Sequence, residues 1–303
     1  GVAHHVDDVN HRRRHGCIAA KVATATGSFP MRNFSLSYLT ANGQTPPDMV
    51  SLAARHGYRY VGLRLLPNAP GAPQQFMMGQ PAALAETRAR MGDTGVGVFD
   101  LEIIRIGEDF NLNAYKPLME VGAALGARSL LIAGDDDDAS RLATHYAQVC
   151  ELAATYQLNA DLEFMPWTAV RTARDALAVI RAAGTQAAAG VLVDALHVAR
   201  SGTTVEDIAA IPRELLHYAQ ICDAPALTPA THAEMIYDAR ENRQLPGEGG
   251  IALAPLFAAL PADLPIAVEV PNFKRVATLG EDAWAGMAMA AAQAVLDQAV
   301  ATR

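Results

Sequence analysis

Short apolar runs alternate with helical patterns along the chain from residue 31 onward. Each run ends in a loop, and a stretch with helical spacing separates it from the next run. Several runs are continuously apolar rather than alternating, which is typical of parallel strands covered on both faces. The pattern predicts strands at residues 34–39, 60–65, 97–105, 129–133, 160–164, 190–194, 218–223 and 266–270.

The segments between the runs are typical of helices. PPDMVSLAARHG begins with prolines and ends in glycine, the usual asymmetry of helix termini. AYKPLMEVGAALGA, SRLATHYAQVCELAATY and AVRTARDALAVIRAAG repeat apolar residues at i, i+3, i+4 and i+7, and GEDAWAGMAMAAAQAVLDQAV predicts a last helix against the wall. Eight strands alternating with helices predict an α/β fold, a closed (β/α)8 TIM barrel.

An open, doubly wound sheet is the alternative arrangement. It requires a glycine-rich phosphate turn after the first strand, but SYLTANGQTPP has one glycine and no G-x-G-x-x-G. No linker or abrupt change of composition divides residues 31–303, so we expect one barrel domain. Residues 1–30 mix His, Arg and Asp without periodicity, and we expect them to form a poorly ordered N-terminal extension.

The composition narrows the classes of function. The 303 residues are 51% hydrophobic and 18% charged, and they contain no uninterrupted apolar run that would predict a membrane span. The net charge of −8 argues against a nucleic-acid partner, which needs a basic surface. Cys17, Cys150 and Cys222 are far apart and lack C-x-x-C spacing, which indicates a reduced, cytoplasmic protein.

Four side chains with oxygen atoms stand at the ends of the last four predicted strands. They are Glu163, Asp194, Gln220 and Glu269, separated by 31, 26 and 49 residues. One strand-plus-helix unit takes about 30 residues, so the first three lie one unit apart and the last follows an insertion. Because the C-termini of parallel barrel strands point to one mouth, we expect these side chains to converge on a divalent cation. Oxygen donors suit Mg²⁺ or Mn²⁺ better than Zn²⁺.

The order Glu…Asp-x-x-His…x-x-Asp…Glu on predicted strands five to eight resembles the xylose isomerase-like TIM barrel superfamily. The resemblance covers about residues 34–299. The group contains sugar phosphate isomerases and epimerases, ketose 3-epimerases, inosose dehydratases, 3-dehydroshikimate dehydratases and apurinic endonucleases. The resemblance implies that Glu163, Asp194 and Glu269 ligate a metal, with Co²⁺ or Zn²⁺ as alternatives to Mn²⁺ or Mg²⁺, and that His197 contacts substrate. Similar barrels are frequently dimers or tetramers, so a homo-oligomer is an open expectation.

One position departs from the superfamily pattern. Relatives often have His-x-x-Asp on strand seven, whereas this chain reads QICD, with Gln220 in the place of the histidine and Asp223 matching the aspartate. An amide oxygen can still ligate a metal but makes the site less suited to zinc. Some 3-dehydroshikimate dehydratases are similar in having glutamine here, although strand three, DLEIIRIGED, lacks the Arg-Asp-Phe run of those enzymes.

The predicted site suits proton abstraction next to a carbonyl group. A cation that bridges the carbonyl and hydroxyl oxygens stabilises the enediolate formed when the proton leaves. By resemblance to ketose epimerases, Glu163 and Glu269 act as ligands and as catalytic bases. We therefore expect a divalent-metal-dependent isomerase or epimerase of a small sugar or polyol, with a dehydratase of 3-dehydroshikimate or an inosose as the alternative. A DNA-repair or non-catalytic barrel is a third hypothesis, which the acidic composition and the converging carboxylates oppose.

Further residues near the strand ends are candidates for substrate binding. These are His197, Arg105, Asp223, Arg243 and Trp167. Arginine at a barrel mouth binds a carboxylate or phosphate in bidentate fashion, but Arg105 and Arg243 can equally balance the metal carboxylates, and Arg64 is expected to do only that. Asp223 has a salt bridge beneath the site as its alternative role, and Trp167 is expected to form an apolar wall against a sugar ring.

Overall fold

The computed structural model describes residues 32–301. Within this range, eight parallel strands close into a barrel in sequence order, with the last strand paired to the first. The predicted (β/α)8 barrel is confirmed. The predicted extension, residues 1–30, lies outside the described residues, and the domain boundary after residue 30 stays a prediction.

The strands follow the predicted apolar runs closely. They are β1 (Phe34–Leu36), β2 (Tyr60–Arg64), β3 (Gly97–Ile106), β4 (Ser129–Gly134), β5 (Asn159–Glu163), β6 (Ala189–Asp194), β7 (Ala219–Ile221) and β8 (Ile266–Val268). The strand β7 is shorter than its apolar run because the chain turns away at its end. There Asp223 exchanges backbone hydrogen bonds with Gln244 in an isolated antiparallel bridge.

Helices connect the strands and cover the outside of the barrel. They are α1 (Pro46–Arg55), α2 (Pro81–Thr94), α3 (Lys116–Leu125), α4 (Ala139–Thr155), α5 (Ala173–Ala182), α6 (Ala195–Ser201), α7 (Val205–Ala209), α8 (His232–Glu241), α9 (Leu253–Ala259), α10 (Phe273–Leu279) and α11 (Glu281–Ala301). Thr172, Thr204 and Thr231 begin α5, α7 and α8 with capping boxes, which satisfy the first free amides of each helix. Among residues 32–301, no helix combines the length and the apolar character needed to cross a membrane.

Two apolar layers hold the barrel together. The larger one lies between the strands and the helices, and the smaller one fills the barrel interior. Tyr60, Phe99 and Tyr218 pack inside at the N-terminal ends of their strands, with ring centroids 5.4 Å apart for the first pair and 5.0 Å for the second. Since aromatic rings fill this end, the interior is accessible from the C-terminal ends of the strands.

Candidate active site

The four predicted ligand side chains meet at the C-terminal mouth of the barrel. Glu163 and Asp194 are the last residues of β5 and β6, Gln220 lies in β7, and Glu269 directly follows β8. Neighbours in the sequence, such as Leu162, pack outward in the layer beneath the helices. Since successive strand residues face opposite sides, the four polar side chains face the interior. All four are buried.

Asp194 connects this group to His197. Its Oδ1 accepts hydrogen bonds from the backbone N–H groups of Leu196 and His197, at 2.7 and 3.3 Å, and so caps α6. The first turn of α6 brings the imidazole beside Glu163, with His197 Nε2 3.5 Å from Glu163 Oε1. Glu163, Asp194 and His197 each offer a ligand atom, and these atoms lie within 4.8 Å of one another. The Asp-x-x-His motif is therefore a helix cap that presents two potential ligands together.

A buried guanidinium joins the remaining carboxylates. Arg243 Nη1 donates to Asp194 Oδ2 at 2.7 Å, and Nη2 lies 3.0 Å from Glu269 Oε2. Its Nε donates to the backbone carbonyl of Ala239 at 2.8 Å, which fixes the side chain at the end of α8. Only 2% of Arg243 is exposed. Two roles were expected for Arg243, which were substrate binding and an ion pair with the metal carboxylates. The contacts observed are those of the ion pair.

Gln220 contacts Glu269 through its amide nitrogen. Nε2 donates to Glu269 Oε1 at 3.2 Å, whereas the buried Gln220 Oε1 has no hydrogen-bond donor within the described residues. A buried amide oxygen without a donor is unusual in folded proteins, and a bound cation would supply the missing partner. Glu163, Asp194 and His197 are thus the side chains whose ligand atoms are close enough to share a cation, and the unpaired Gln220 Oε1 fits a cation as well. The four-ligand set that includes Glu269 stays a prediction.

Burial and mutual repulsion disfavour ionisation of two of the carboxylates. Burial raises the pKa of Glu163 well above its usual range, and the charges of Asp194 and Glu269 add to the effect. Burial also raises the pKa of Glu269 to about 8, although Arg243 opposes it. These two groups are therefore costly to hold as anions without another positive charge nearby.

The pKa values of Asp194 and His197 are lowered, in contrast to those of Glu163 and Glu269. Burial alone raises the pKa of Asp194, but the Arg243 guanidinium and His197 outweigh it and hold this pKa below the ordinary value. Burial lowers the pKa of His197 to about 4, so the imidazole is neutral near physiological pH. Three carboxylates thus face one guanidinium in the described part of the site, and full ionisation leaves two excess negative charges. A divalent cation would neutralise them.

A pocket opens above these carboxylates. Ile103, Leu131, Met165 and Trp167 form its apolar walls, and Asn68 and Arg240 lie among its polar lining residues. The Trp167 ring meets the His197 ring edge-on, with centroids 5.2 Å apart. Apolar walls with a few converging polar groups are typical of small-molecule sites.

The predicted substrate-binding residues lie in different places. His197, Trp167 and Arg243 line the pocket. Arg105 lies at the rim, where Nη2 donates to Asn68 Oδ1 at 2.7 Å and Nη1 lies 3.1 Å from Asp135 Oδ2. Arg64, for which an ion pair with the metal carboxylates was the favoured role, pairs instead with Glu102 and also lines the pocket.

Asp223 holds the loop that follows α8. Its Oδ1 accepts hydrogen bonds from the backbone N–H groups of Ala224 and Ile251, and its Oδ2 accepts one from Gly247, at 2.9 to 3.0 Å. A Cβ atom on Gly249 would overlap both this carboxylate and the Ala224 carbonyl, so the LPGEGG loop needs glycine there. The observed contacts give Asp223 the task of holding this loop, whereas the sequence analysis predicted a substrate contact or a salt bridge.

Two charged residues of the site were not among the sequence candidates. Arg240 lines the pocket near the end of α8, three residues before Arg243 in the chain. Glu102 is fully buried in β3 and lies 2.7 Å from Arg64 Nη2. A glutamate within the apolar run DLEIIR was its signal, since buried carboxylates need a partner.

Comparison with known proteins agrees with this architecture. The sequence matches the family model described as xylose isomerase-like TIM barrel over residues 50–294. No curated protein matches the sequence significantly. A xylose isomerase-like TIM barrel/4-hydroxyphenylpyruvate dioxygenase fusion protein is similar over 80% of this chain, with 20% identity and a TM-score of 0.66, and this chain spans 39% of its length.

Other solved structures are matched over nearly their whole length. The IOLI protein with a binding zinc atom has 16% identity and a TM-score of 0.70, over 88% of this chain and 99% of that one. A D-allulose 3-epimerase from Methylomonas sp. has 18% identity and a TM-score of 0.64, over 88% and 99%. The probable 3-DHS dehydratase AsbF from Bacillus anthracis has 14% identity and a TM-score of 0.67, over 86% and 98%. These likenesses show a shared fold.

Proposed function

Because the chain belongs to the xylose isomerase-like TIM barrel family, as its strand-end motifs indicated, we propose that it is a divalent-metal-dependent isomerase or epimerase of a small sugar or sugar-like polyol. One observation carries the proposal. Three buried carboxylates and an amide converge at the barrel mouth, with two more negative charges than the guanidinium beside them balances. The similar barrels include a D-allulose 3-epimerase and a probable 3-DHS dehydratase, so both epimerisation and dehydration occur on this fold.

Glu163, Asp194, Gln220 and Glu269 would hold the cation, with His197 beside them. When bound, the cation would stabilise the negative charge that develops on a substrate oxygen next to the reacting carbon. Four oxygen donors favour Mn²⁺ or Mg²⁺. The zinc atom in the similar IOLI protein keeps Zn²⁺ and Co²⁺ as alternatives.

Glu163 and Glu269 serve as the two bases. They extend from β5 and β8, which are separated by two strands on one side of the barrel and by four on the other. One carboxylate removes the proton from a carbon next to the carbonyl group. The other delivers a proton to the opposite face of that carbon, which inverts it, or to the neighbouring carbon, which exchanges aldose and ketose.

His197 and Trp167 position the substrate. The neutral imidazole has a ring nitrogen, Nδ1, that makes no hydrogen bond within residues 32–301, and this atom is available to a substrate hydroxyl group. The Trp167 ring stands edge-on to it and offers an apolar face to the carbon skeleton. Together they keep bulk water away from the reacting carbon.

The variants Glu163→Gln and Glu269→Gln test this assignment. With Mn²⁺ present, the wild-type protein should incorporate solvent deuterium at the carbon next to the carbonyl of a ketose drawn from a substrate screen. Each variant should lower that rate about 1000-fold, since general-base catalysis contributes on this order. Glu151→Gln, on the exposed face of α4, is the control and should keep the wild-type rate. Near-wild-type exchange by both site variants, with normal circular dichroism, would show the assignment to be wrong.

Dehydration is the second candidate, and an asymmetry between the carboxylates favours it. Both oxygens of Glu269 are engaged, by Gln220 and by Arg243, whereas Glu163 faces His197. Unequal carboxylates suit a reaction with a single base. That base removes a proton, the C–H electron pair forms a double bond, and the C–O bond one carbon further breaks. The hydroxyl group leaves as water after it is protonated. In the same screen, 3-dehydroshikimate would then give the ultraviolet absorbance of protocatechuate, and ketoses would show no deuterium exchange.

A further inference from the structure

The outer part of the pocket has an uneven distribution of positive charge. Arg64 and Asn68 line the pocket, Arg105 donates a hydrogen bond to Asn68, and Arg240 lines the same pocket. Two of these guanidinium groups have carboxylate partners. The third, that of Arg240, has none within the described residues.

The pairing of the first two arginines is direct. Arg64 places Nε and Nη2 on one oxygen of Glu102, at 2.8 and 2.7 Å, and its side chain is 10% exposed. Arg105 places Nη1 on Asp135 Oδ2 at 3.1 Å and Nη2 on Asn68 Oδ1 at 2.7 Å. Each of these charges is therefore balanced before any ligand arrives.

Arg240 is different because its surroundings are both apolar and cationic. It lines the pocket beside Asn68 and is half-buried at the end of α8, where its guanidinium makes no hydrogen bond or ion pair with residues 32–301. Burial lowers its pKa first, and the charges of Arg105 and Arg64 lower it further, against a smaller effect of Glu241. A half-buried guanidinium next to two others is costly unless an anion joins it.

The deeper part of the site does not supply that anion. Asp194 and Glu269 already pair with Arg243, Glu163 faces His197, and a divalent cation would balance the remaining negative charge. One positive charge, that of Arg240, is then left at the outer end of the pocket, while the reacting end is neutral. The ligand that completes this arrangement has a polar, oxygen-rich end and a separate negative end.

We propose that Arg240, with the Asn68 and Arg105 pair beside it, binds an anionic group of the substrate, so that the substrate is a polyhydroxylated carboxylate or phosphate and not a neutral sugar. This inference rests on the proposed function, because it names the substrate class of the same site. A guanidinium presents a planar pair of N–H donors that matches either anion in bidentate fashion. The anion lies at the outer end of the pocket and leaves the hydroxyl-bearing end for Glu163 and Glu269.

A set of three non-reacting polyols tests the inference. Ribitol is neutral, D-ribonate has a carboxylate, and ribitol 5-phosphate has a phosphate. None of them has an aldehyde or ketone group, which prevents isomerisation and epimerisation. Isothermal titration of the Mn²⁺-saturated protein should show at least one anion binding about 10- to 100-fold more tightly than ribitol, since one charge-assisted contact contributes on this order. The tighter of the two anions identifies the group that the site takes.

The variant Arg240→Gln should reduce this preference to less than about threefold, and Arg240→Lys should keep part of it because the charge is retained. Arg88→Gln, which removes an exposed arginine of α2, is the matched control and should leave the preference unchanged. Equal binding of all three polyols, an unchanged preference in Arg240→Gln, or failure of both anions to bind would each overturn the inference.

Polyol titrations with and without Mn²⁺, a titration with Mn²⁺ itself and the deuterium-exchange assay together separate this inference from the proposed function. If Mn²⁺ binds and Glu163→Gln abolishes deuterium exchange, but the anion preference is absent, the proposed chemistry stands and the anion site is wrong. If the preference depends on Arg240 while Mn²⁺ does not bind, the anion site stands and the metal-dependent chemistry is wrong.

Discussion

Arg243 neutralises part of the negative charge of the inner site because it pairs with two carboxylates. Its guanidinium is buried between Asp194 and Glu269, and Ala239 fixes its third donor. Removing the guanidinium would leave two buried carboxylates without their shared partner, which typically costs about 3–5 kcal/mol. A lysine could not replace this arginine, because a single ammonium group lacks the planar fork that reaches both partners. The remaining negative charge is the charge that the proposed cation would balance.

The preference of the site for one metal over another depends on residue 220. Gln220 offers an amide oxygen where relatives often have an imidazole, and that oxygen has no donor within the described residues. Gln220→His should raise the affinity for Zn²⁺ relative to Mn²⁺ about 10-fold, since an imidazole nitrogen suits zinc better than an amide oxygen. Calorimetric titration of the metal-free protein with each ion measures the ratio. Gln148→His, exposed on α4, controls for adventitious histidine binding; an unchanged ratio in Gln220→His would exclude Gln220 as a ligand.

At the scale of elements, the strands could be predicted and the helix α8 could not. The runs ADLEF and GVLVD end within a residue of the ends of β5 and β6, so Glu163 and Asp194 were recognisable as mouth residues. The helix α8 buries little of its surface, with Ala239 as its buried residue, and so lacks the apolar period that reveals a helix. Arg240 depends on that helix for its position and was missed for this reason. The contact of Arg243 with Asp194 spans 49 residues and depends on the path of the loop.

The loop after α8 depends on the carboxylate of Asp223. Three backbone N–H groups donate hydrogen bonds to its two oxygens. Asp223→Asn replaces one of these oxygens with an NH₂ group, which would face a backbone N–H instead of accepting from it. We expect the free energy of unfolding to fall by about 2 kcal/mol and the amides of Gly247 and Ile251 to exchange faster with deuterated solvent. Asp109→Asn, at an exposed turn, is the control and should change neither. Unchanged exchange at both amides would show that another group holds the loop.

Across the whole molecule, the barrel interior combines apolar side chains with buried acidic ones. Tyr60, Phe99 and Tyr218 lie at the N-terminal ends of their strands, Asp161 and Asp100 are buried, and the candidate site lies at the mouth. Asp161 is fully buried, accepts a hydrogen bond from Ser129, and pairs with His217 Nδ1 at 2.6 Å. Gly190 makes this pairing possible, because a Cβ there would overlap both Asp161 and the imidazole. The stability of the barrel is thereby linked to the protonation of one histidine.

The His217 pair predicts how the stability of the barrel depends on pH. Burial alone lowers the pKa of His217, but the hydrogen bond and the charge of Asp161 outweigh it, so the folded pKa lies above the ordinary 6.5. The native state therefore binds the proton more tightly than the unfolded chain. The resulting stabilisation is fully present below about pH 6 and is lost as the pH rises through the raised pKa.

His217→Gln should lower the free energy of unfolding by about 3 kcal/mol at low pH, since it leaves Asp161 buried without its cation. Urea denaturation at about pH 5.5 and about pH 9 should show a larger gap between wild type and variant at the lower pH. His232→Gln, at an exposed position on α8, should show almost no gap at either pH. A gap for His217→Gln that is constant or grows toward high pH would mean that the imidazole is not charged in the folded barrel.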